Sequence, residues 1–93
     1  MAQDARKLED LRSIGKETLE DFRVLGITSV AELSKQDPNK LYGSLCKTSG
    51  VIHDICVLDT FTCAVAQAKN SKLPEEQKNW WYYSRIRKSG RQR

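Results

Sequence analysis

The sequence has little of what marks a membrane protein, a secreted scaffold or a cofactor enzyme. Its uncharged runs fall far short of the ~20 apolar residues a bilayer core requires, and the start "MAQDARKLED" carries no apolar stretch. Neither a membrane span nor a signal peptide is expected, and the chain reads as cytoplasmic. Cys46, Cys56 and Cys63 are an odd number of cysteines without secretory context. They read as reduced, mostly buried thiols rather than a disulfide framework. The single histidine, His53, lies three residues before Cys56, but no C-x₂₋₄-C knuckle accompanies it. Cys56 and Cys63 would stand more than ~10 Å apart along a helix, too far for one zinc ion with bonds of ~2.3 Å. No third group completes a Cys-His pair, and no G-x-G-x-x-G fingerprint is present. The expectation is therefore no metal, no cofactor and no catalysis. A chain of 93 residues has room for one domain around one core.

Acidic residues are missing from one end only. Residues 1–70 hold nine Lys and Arg against ten Asp and Glu, whereas residues 71–93 hold seven against two. The formal charge of +4 thus belongs to the C-terminal part. "SRIRKSGRQR", from Ser84 onward, has five cations, no acid and one apolar residue. Its composition predicts a flexible basic arm over 84–93, following a globular domain over 1–83.

No segment alternates with period two, while several place apolar residues at i, i+3, i+4 and i+7, so the chain reads as all-α. A first helix is expected over about Asp4 to Arg12, with Leu8 and Leu11 on one side. Ser13-Ile14-Gly15 ends it and Lys16 opens a second, which turns Leu19, Phe22 and Val24/Leu25 inward and stops at Gly26 in the left-handed region. Ser29 and Glu32 form a capping box that opens a short connector helix. Asp37 and Pro38 open another, with Leu41, Leu45 and Tyr42 on its apolar side. "KTSG", ending at Gly50, is a turn. The longest helix runs from Ile52 to about Lys69 with a stripe of Ile55, Leu58, Thr62 and Val65. Pro74 follows it and starts a short helical turn. The result is a compact five-helix domain of two helical hairpins joined by a connector helix. Trp80 and Trp81 of "WWYY" are expected to fold back over a core short of apolar residues; an indole left exposed would serve as a contact.

The turn Ser13-Ile14-Gly15-Lys16 suits a specific task. Successive amides at a helix N-terminus form a nest that accepts a phosphate oxygen. Ile14 would lock the two helices, Gly15 would permit the dihedral and the close approach, and Lys16 would add a charge. The stretch "LRSIGKETLEDFRVLGITSVAELSKQDPNKLYGSLC" resembles a helix-hairpin-helix domain. It is similar to the small bacterial pathogenicity-locus proteins, some labelled for mitomycin resistance, and to the C-terminal domain of the TfoX competence regulators. The likeness runs through "DICVLDTFTCAVA" to "LPEEQKNWW", about Leu11 to Trp81. In the family pattern the position of Ser13 is usually glycine.

The resemblance implies a fold of the SAM-like, helix-hairpin-helix kind and sequence-independent contact with the backbone of double-stranded DNA. Carried over by position, the contact residues are Ser13, Ile14, Gly15 and Lys16. The arm, through Arg85, Arg87, Lys88 and Arg91, would neutralise further phosphates. Against this, Glu17, Glu20 and Asp21 follow the turn directly, and the body has a net charge of −1 over residues 1–70. The alternative is a protein–protein interaction module with a purely structural hairpin.

Overall fold

Local capping sets most element boundaries in the structure, a computed structural model that describes residues 6–90. After a 3₁₀ turn at Leu8–Asp10 come α1 (Lys16–Val24), α2 (Val30–Leu33), α3 (Pro38–Ser49) and α4 (Ile55–Lys69). A second 3₁₀ turn, Glu75–Lys78, leads into α5 (Trp80–Gly90). At the end of α1, Gly26 takes φ +82°, and the amides of Gly26 and Ile27 return to the carbonyls of Arg23 and Phe22. These two bonds make a Schellman motif, which a side chain with Cβ would strain. Ser29 Oγ accepts from the Glu32 amide at 3.1 Å and opens α2. The reciprocal half of that box falls one residue earlier than the sequence implies, because Glu32 Oε1 accepts from the amide and hydroxyl of Thr28. Asp37 caps α3 through the Asn39 amide, and Asp54 caps α4 through the Cys56 amide, both at 2.9 Å. The second cap starts α4 at Ile55 rather than Ile52, and Gly50, at φ +77°, ends α3.

No strand occurs among the described residues, so the chain is all-α, and its radius of gyration of 12.9 Å matches a compact globule of this length. Five α-helices are present among the described residues, but the set differs from the one expected. The segment read as a helix over Asp4–Arg12 holds only the 3₁₀ turn in its described part, and its backbone is held instead by α4. Conversely, Trp80–Gly90, which includes the supposed flexible arm as far as residue 90, is helical. It is helical because it has something to pack on: Ser84 is buried, and Arg87 reaches a carboxylate on α4. Residues 91–93 lie outside the described part.

Helix α4 is the central element and packs against α2, α3 and α5. Being covered from several sides, it buries Phe61, Ala64, Val65 and Ala68 together with Asp59, Cys63 and Gln67. The expected single stripe is corrected accordingly, since Ile55 at its start is exposed. Phe22 of α1 meets Phe61 with ring centroids 5.4 Å apart, and both rings are fully buried. Truncating either to alanine would cost about 3–5 kcal/mol. Leu11, Ile27, Val30, Leu33, Leu41 and Leu45 complete the core.

Candidate functional site

The turn before α1 is built by contacts from far along the chain. Gln67, buried on α4, accepts from the Arg12 amide at 2.8 Å and donates to the Arg12 carbonyl at 2.8 Å, as a strand neighbour would. The next residue, Ser13, takes φ +67° and is the non-glycine residue with positive φ among those described. This conformation costs a residue with Cβ roughly 1–2 kcal/mol. Its hydroxyl offsets the cost by donating to the Lys78 carbonyl at 3.1 Å and accepting from the Trp80 amide at 3.2 Å.

Ser13 therefore carries the dihedral that the sequence reading gave to Gly15. Gly15 itself is the N-cap of α1, with φ −95° and extended ψ, and no side chain caps the helix there. A Cβ built on Gly15 would meet nothing within 4 Å, so the protein's own packing does not require glycine. Ile14 is half-buried against the core, and Lys16 is exposed at the first position of α1. The first helical bond runs from the Leu19 amide to the Gly15 carbonyl, so the amides of Lys16, Glu17 and Thr18 have no acceptor within the helix.

The Ser13–Trp80 bond sets this turn beside the start of α5, where Trp80 is 37% and Trp81 43% exposed. Neither indole is buried as expected, whereas Ser84 and Arg87 of the same helix turn toward α4. Tyr83 is half-buried, and burial pushes its hydroxyl up to about 12. The Arg85 guanidinium stands 4.8 Å from the centre of the Trp81 ring, a cation–π pair at the surface. Arg87 turns inward instead. Its Nε and Nη2 donate to the two carboxylate oxygens of Asp59, each at 2.9 Å, and this bond is the first cause of its raised pKa. Arg87, named with the phosphate contacts from the sequence, thus has a partner within the domain. Lys88 is exposed, and Arg91 lies outside the described residues.

The family model described as Cdd1, pathogenicity locus, matches residues 1–89. This chain belongs to that family. It is 36% identical over 87 residues to the mitomycin resistance protein McrB of Streptomyces lavendulae, across 94% of this chain and 79% of that protein. No solved structure matches it.

In this pathogenicity-locus protein the remaining polar clusters have structural partners. Arg12 and Lys78 both pair with Glu75, and the bond from Lys78, followed by the charge of Arg12, holds the Glu75 carboxyl below its usual range. His53 Nε2 lies 2.8 Å from Ser49 Oγ, while that hydroxyl also donates to the Leu45 carbonyl. Cys46 Sγ receives the His53 amide at 3.5 Å, and Tyr42 donates to the His53 carbonyl. Cys63 is buried beside Gln67, and burial pushes its thiol up to about 11. Among the described residues no group of three or more His, Cys, Asp or Glu is placed to hold a metal ion, and no helix is long and apolar enough to cross a membrane. The features that sequence reading missed, Asp59 and Gln67, had a visible signal: they are isolated polar residues in the apolar run "ICVLDTFTCAVAQA".

Proposed function

We propose that this protein binds nucleic-acid backbone, weakly and without sequence preference, on the face where the Ser13–Lys16 turn meets the start of α5. The carrying observation is the Ser13 hydroxyl, bonded to Lys78 and Trp80 across the chain. It joins a helix N-terminus with an open glycine to a helix start that bears exposed indoles and cations. In this reading the turn works as the helix-hairpin-helix device, of the kind also met in TfoX regulators, with a 3₁₀ turn as its first arm. Gly15 and Lys16 receive a phosphate, Ser13 and Ile14 hold the loop, and Arg85 and Lys88 supply flanking charge. Residues 77–90 contain no acid, which supports the same face. The module is non-catalytic and works in the cytoplasm.

The test is fluorescence anisotropy with a labelled duplex between 50 and 200 mM salt. Three phosphate contacts would give a slope of log affinity on log salt of about −2.7. Gly15→Asp is the informative variant. An aspartate N-cap should raise the stability of α1 by a few tenths of a kcal/mol, while its charge and bulk block the phosphate. Affinity unchanged in both Gly15→Asp and Lys16→Ala would sink the proposal.

A protein-docking module is the second reading, favoured by the exposure of Trp80 and Trp81. Such binding would vary little with salt. The Streptomyces relative is named for mitomycin resistance, and a part for this chain in such resistance is a further expectation. Raised mitomycin tolerance in an expressing host, lost in Gly15→Asp, would tie the two together.

A further inference from the structure

The indoles say more than that the face is sticky. Trp80 and Trp81 are the only tryptophans of the chain, and they sit on the first turn of α5, where a small core has use for large rings and yet leaves them exposed. Arg85 lies one helical turn beyond Trp81 with its guanidinium over that ring. An aromatic face carrying a cation is a surface built for a partner that is both flat and anionic. A duplex presents phosphates, but its base faces are covered by neighbouring base pairs. A single strand presents both at once, at the spacing of one nucleotide.

Resting on the nucleic-acid reading above, we infer that the site takes single-stranded nucleic acid, with unpaired bases stacking on Trp80 and Trp81. The phosphates between them lie against Arg85 and the Gly15–Lys16 turn. Charge complementarity points the same way. The segment from Gln77 to Gly90 carries Lys78, Arg85, Arg87 and Lys88 without an acid. Asp59 takes up Arg87 and Glu75 takes up Lys78, so Arg85 and Lys88 are the cations left for a ligand on that segment. Ser13 holds the Trp80 amide, so the first indole is fixed relative to the turn rather than free to swing. Base stacking tolerates any base, and the contact would be strong for single strands yet indifferent to sequence.

The full chain supplies its own probe, because every tryptophan is in the site. Titration with an oligothymidylate of about 15 nucleotides should quench the emission, and the same length of duplex should quench it little. Anisotropy with labelled strands should give at least tenfold tighter binding of the single strand at physiological salt. Trp80→Ala and Trp81→Ala should each weaken single-strand binding about tenfold, as loss of one stacked base does, and so remove the preference for the single strand over the duplex. Trp80→Leu and Trp81→Leu keep the apolar bulk and guard against misfolding; they should lose as much affinity as the alanine variants while circular dichroism stays native.

Equal or tighter binding of duplex, with loss in Lys16→Ala, would overturn the single-strand inference and keep the proposed function. Single-strand binding that survives in the leucine variants would overturn it as well. Absence of binding to either form would overturn both readings and assign the indoles to a protein contact.

Discussion

Removal of the Arg87 side chain tests the architecture most directly. Asp59 has a side chain only 3% exposed, and its two oxygens are met by Arg87 Nε and Nη2 at 2.9 Å in a bidentate fork. Arg87 itself is 22% exposed, so the pair lies at the edge of the interior with its acid inside. Arg87→Ala would leave a buried carboxylate without its cation, which costs about 3–5 kcal/mol. A domain of this size has a total stability of roughly 5–14 kcal/mol, so the loss is a large share of it. With a urea m-value near ~1.3 kcal/mol/M, the unfolding midpoint by far-ultraviolet circular dichroism should fall by about 2–4 M. Arg87→Lys keeps the charge but not the fork and should lose roughly 1–2 kcal/mol. Replacing both partners, as Asp59→Leu with Arg87→Met, should recover most of the stability, since well-packed apolar groups commonly equal a buried ion pair. The double variant should also bind oligonucleotide as the parent does. A midpoint change below about 0.5 M for Arg87→Ala would mean that water solvates Asp59, and the pair would not be what orders α5.

Three further outcomes follow from single contacts. Ser13→Gly should be close to neutral, because relief of the left-handed backbone offsets the lost hydroxyl bonds; Ser13→Val, β-branched at φ +67°, should lose about 2–4 kcal/mol in thermal unfolding, and equal stability of the two variants would refute the assigned role. At pH 8 a maleimide should label Cys46 and Cys56 in the native protein but spare Cys63, whose thiol is buried and pushed up to about 11; peptide mapping that finds Cys63 labelled without denaturant would contradict this. The Glu32 carboxyl is held below its ordinary 4.5 by the Thr28 amide first and the Thr28 hydroxyl second. Its contribution to the α2 cap is therefore complete above pH 4.5 and lost as the pH falls through the lower folded value. The Thr28 amide resonance should report a midpoint below 4.5, and one at or above it would refute the bond.

How much of this was legible depends on the range of each interaction. Caps act within four residues, so Ser29, Asp37, Gly26 and Gly50 could be read directly, and α2 and α3 fell where their signals put them. The elements at the two ends could not be read so, because long-range partners decide them. Leu8 to Arg12 has helical spacing, yet Gln67 offers the Arg12 backbone a better partner, and only a 3₁₀ turn remains. "SRIRKSGRQR" has the composition of a solvated arm, but Asp59, 28 residues before Arg87, gives it an anchor. In the turn itself, the residue types indicated a special backbone without indicating its position. Glycine is the usual sign of positive φ, and here a serine takes that conformation because two distant backbone groups hold its hydroxyl.

The Ser13 bridge also bears on the order in which the chain can mature. Its partners lie 65 and 67 positions later, and Arg12 depends on Gln67, 55 positions later. While the chain is being synthesised, α1 to α3 can form from local signals, but the turn ahead of α1 has nothing to set its backbone until α4 and the start of α5 have emerged. A ribosome paused after α3 would hold a partly helical chain with the Ser13 turn still unset. That turn would take its backbone conformation only once α5 had begun to form, so one of the first loops made would be one of the later ones to settle.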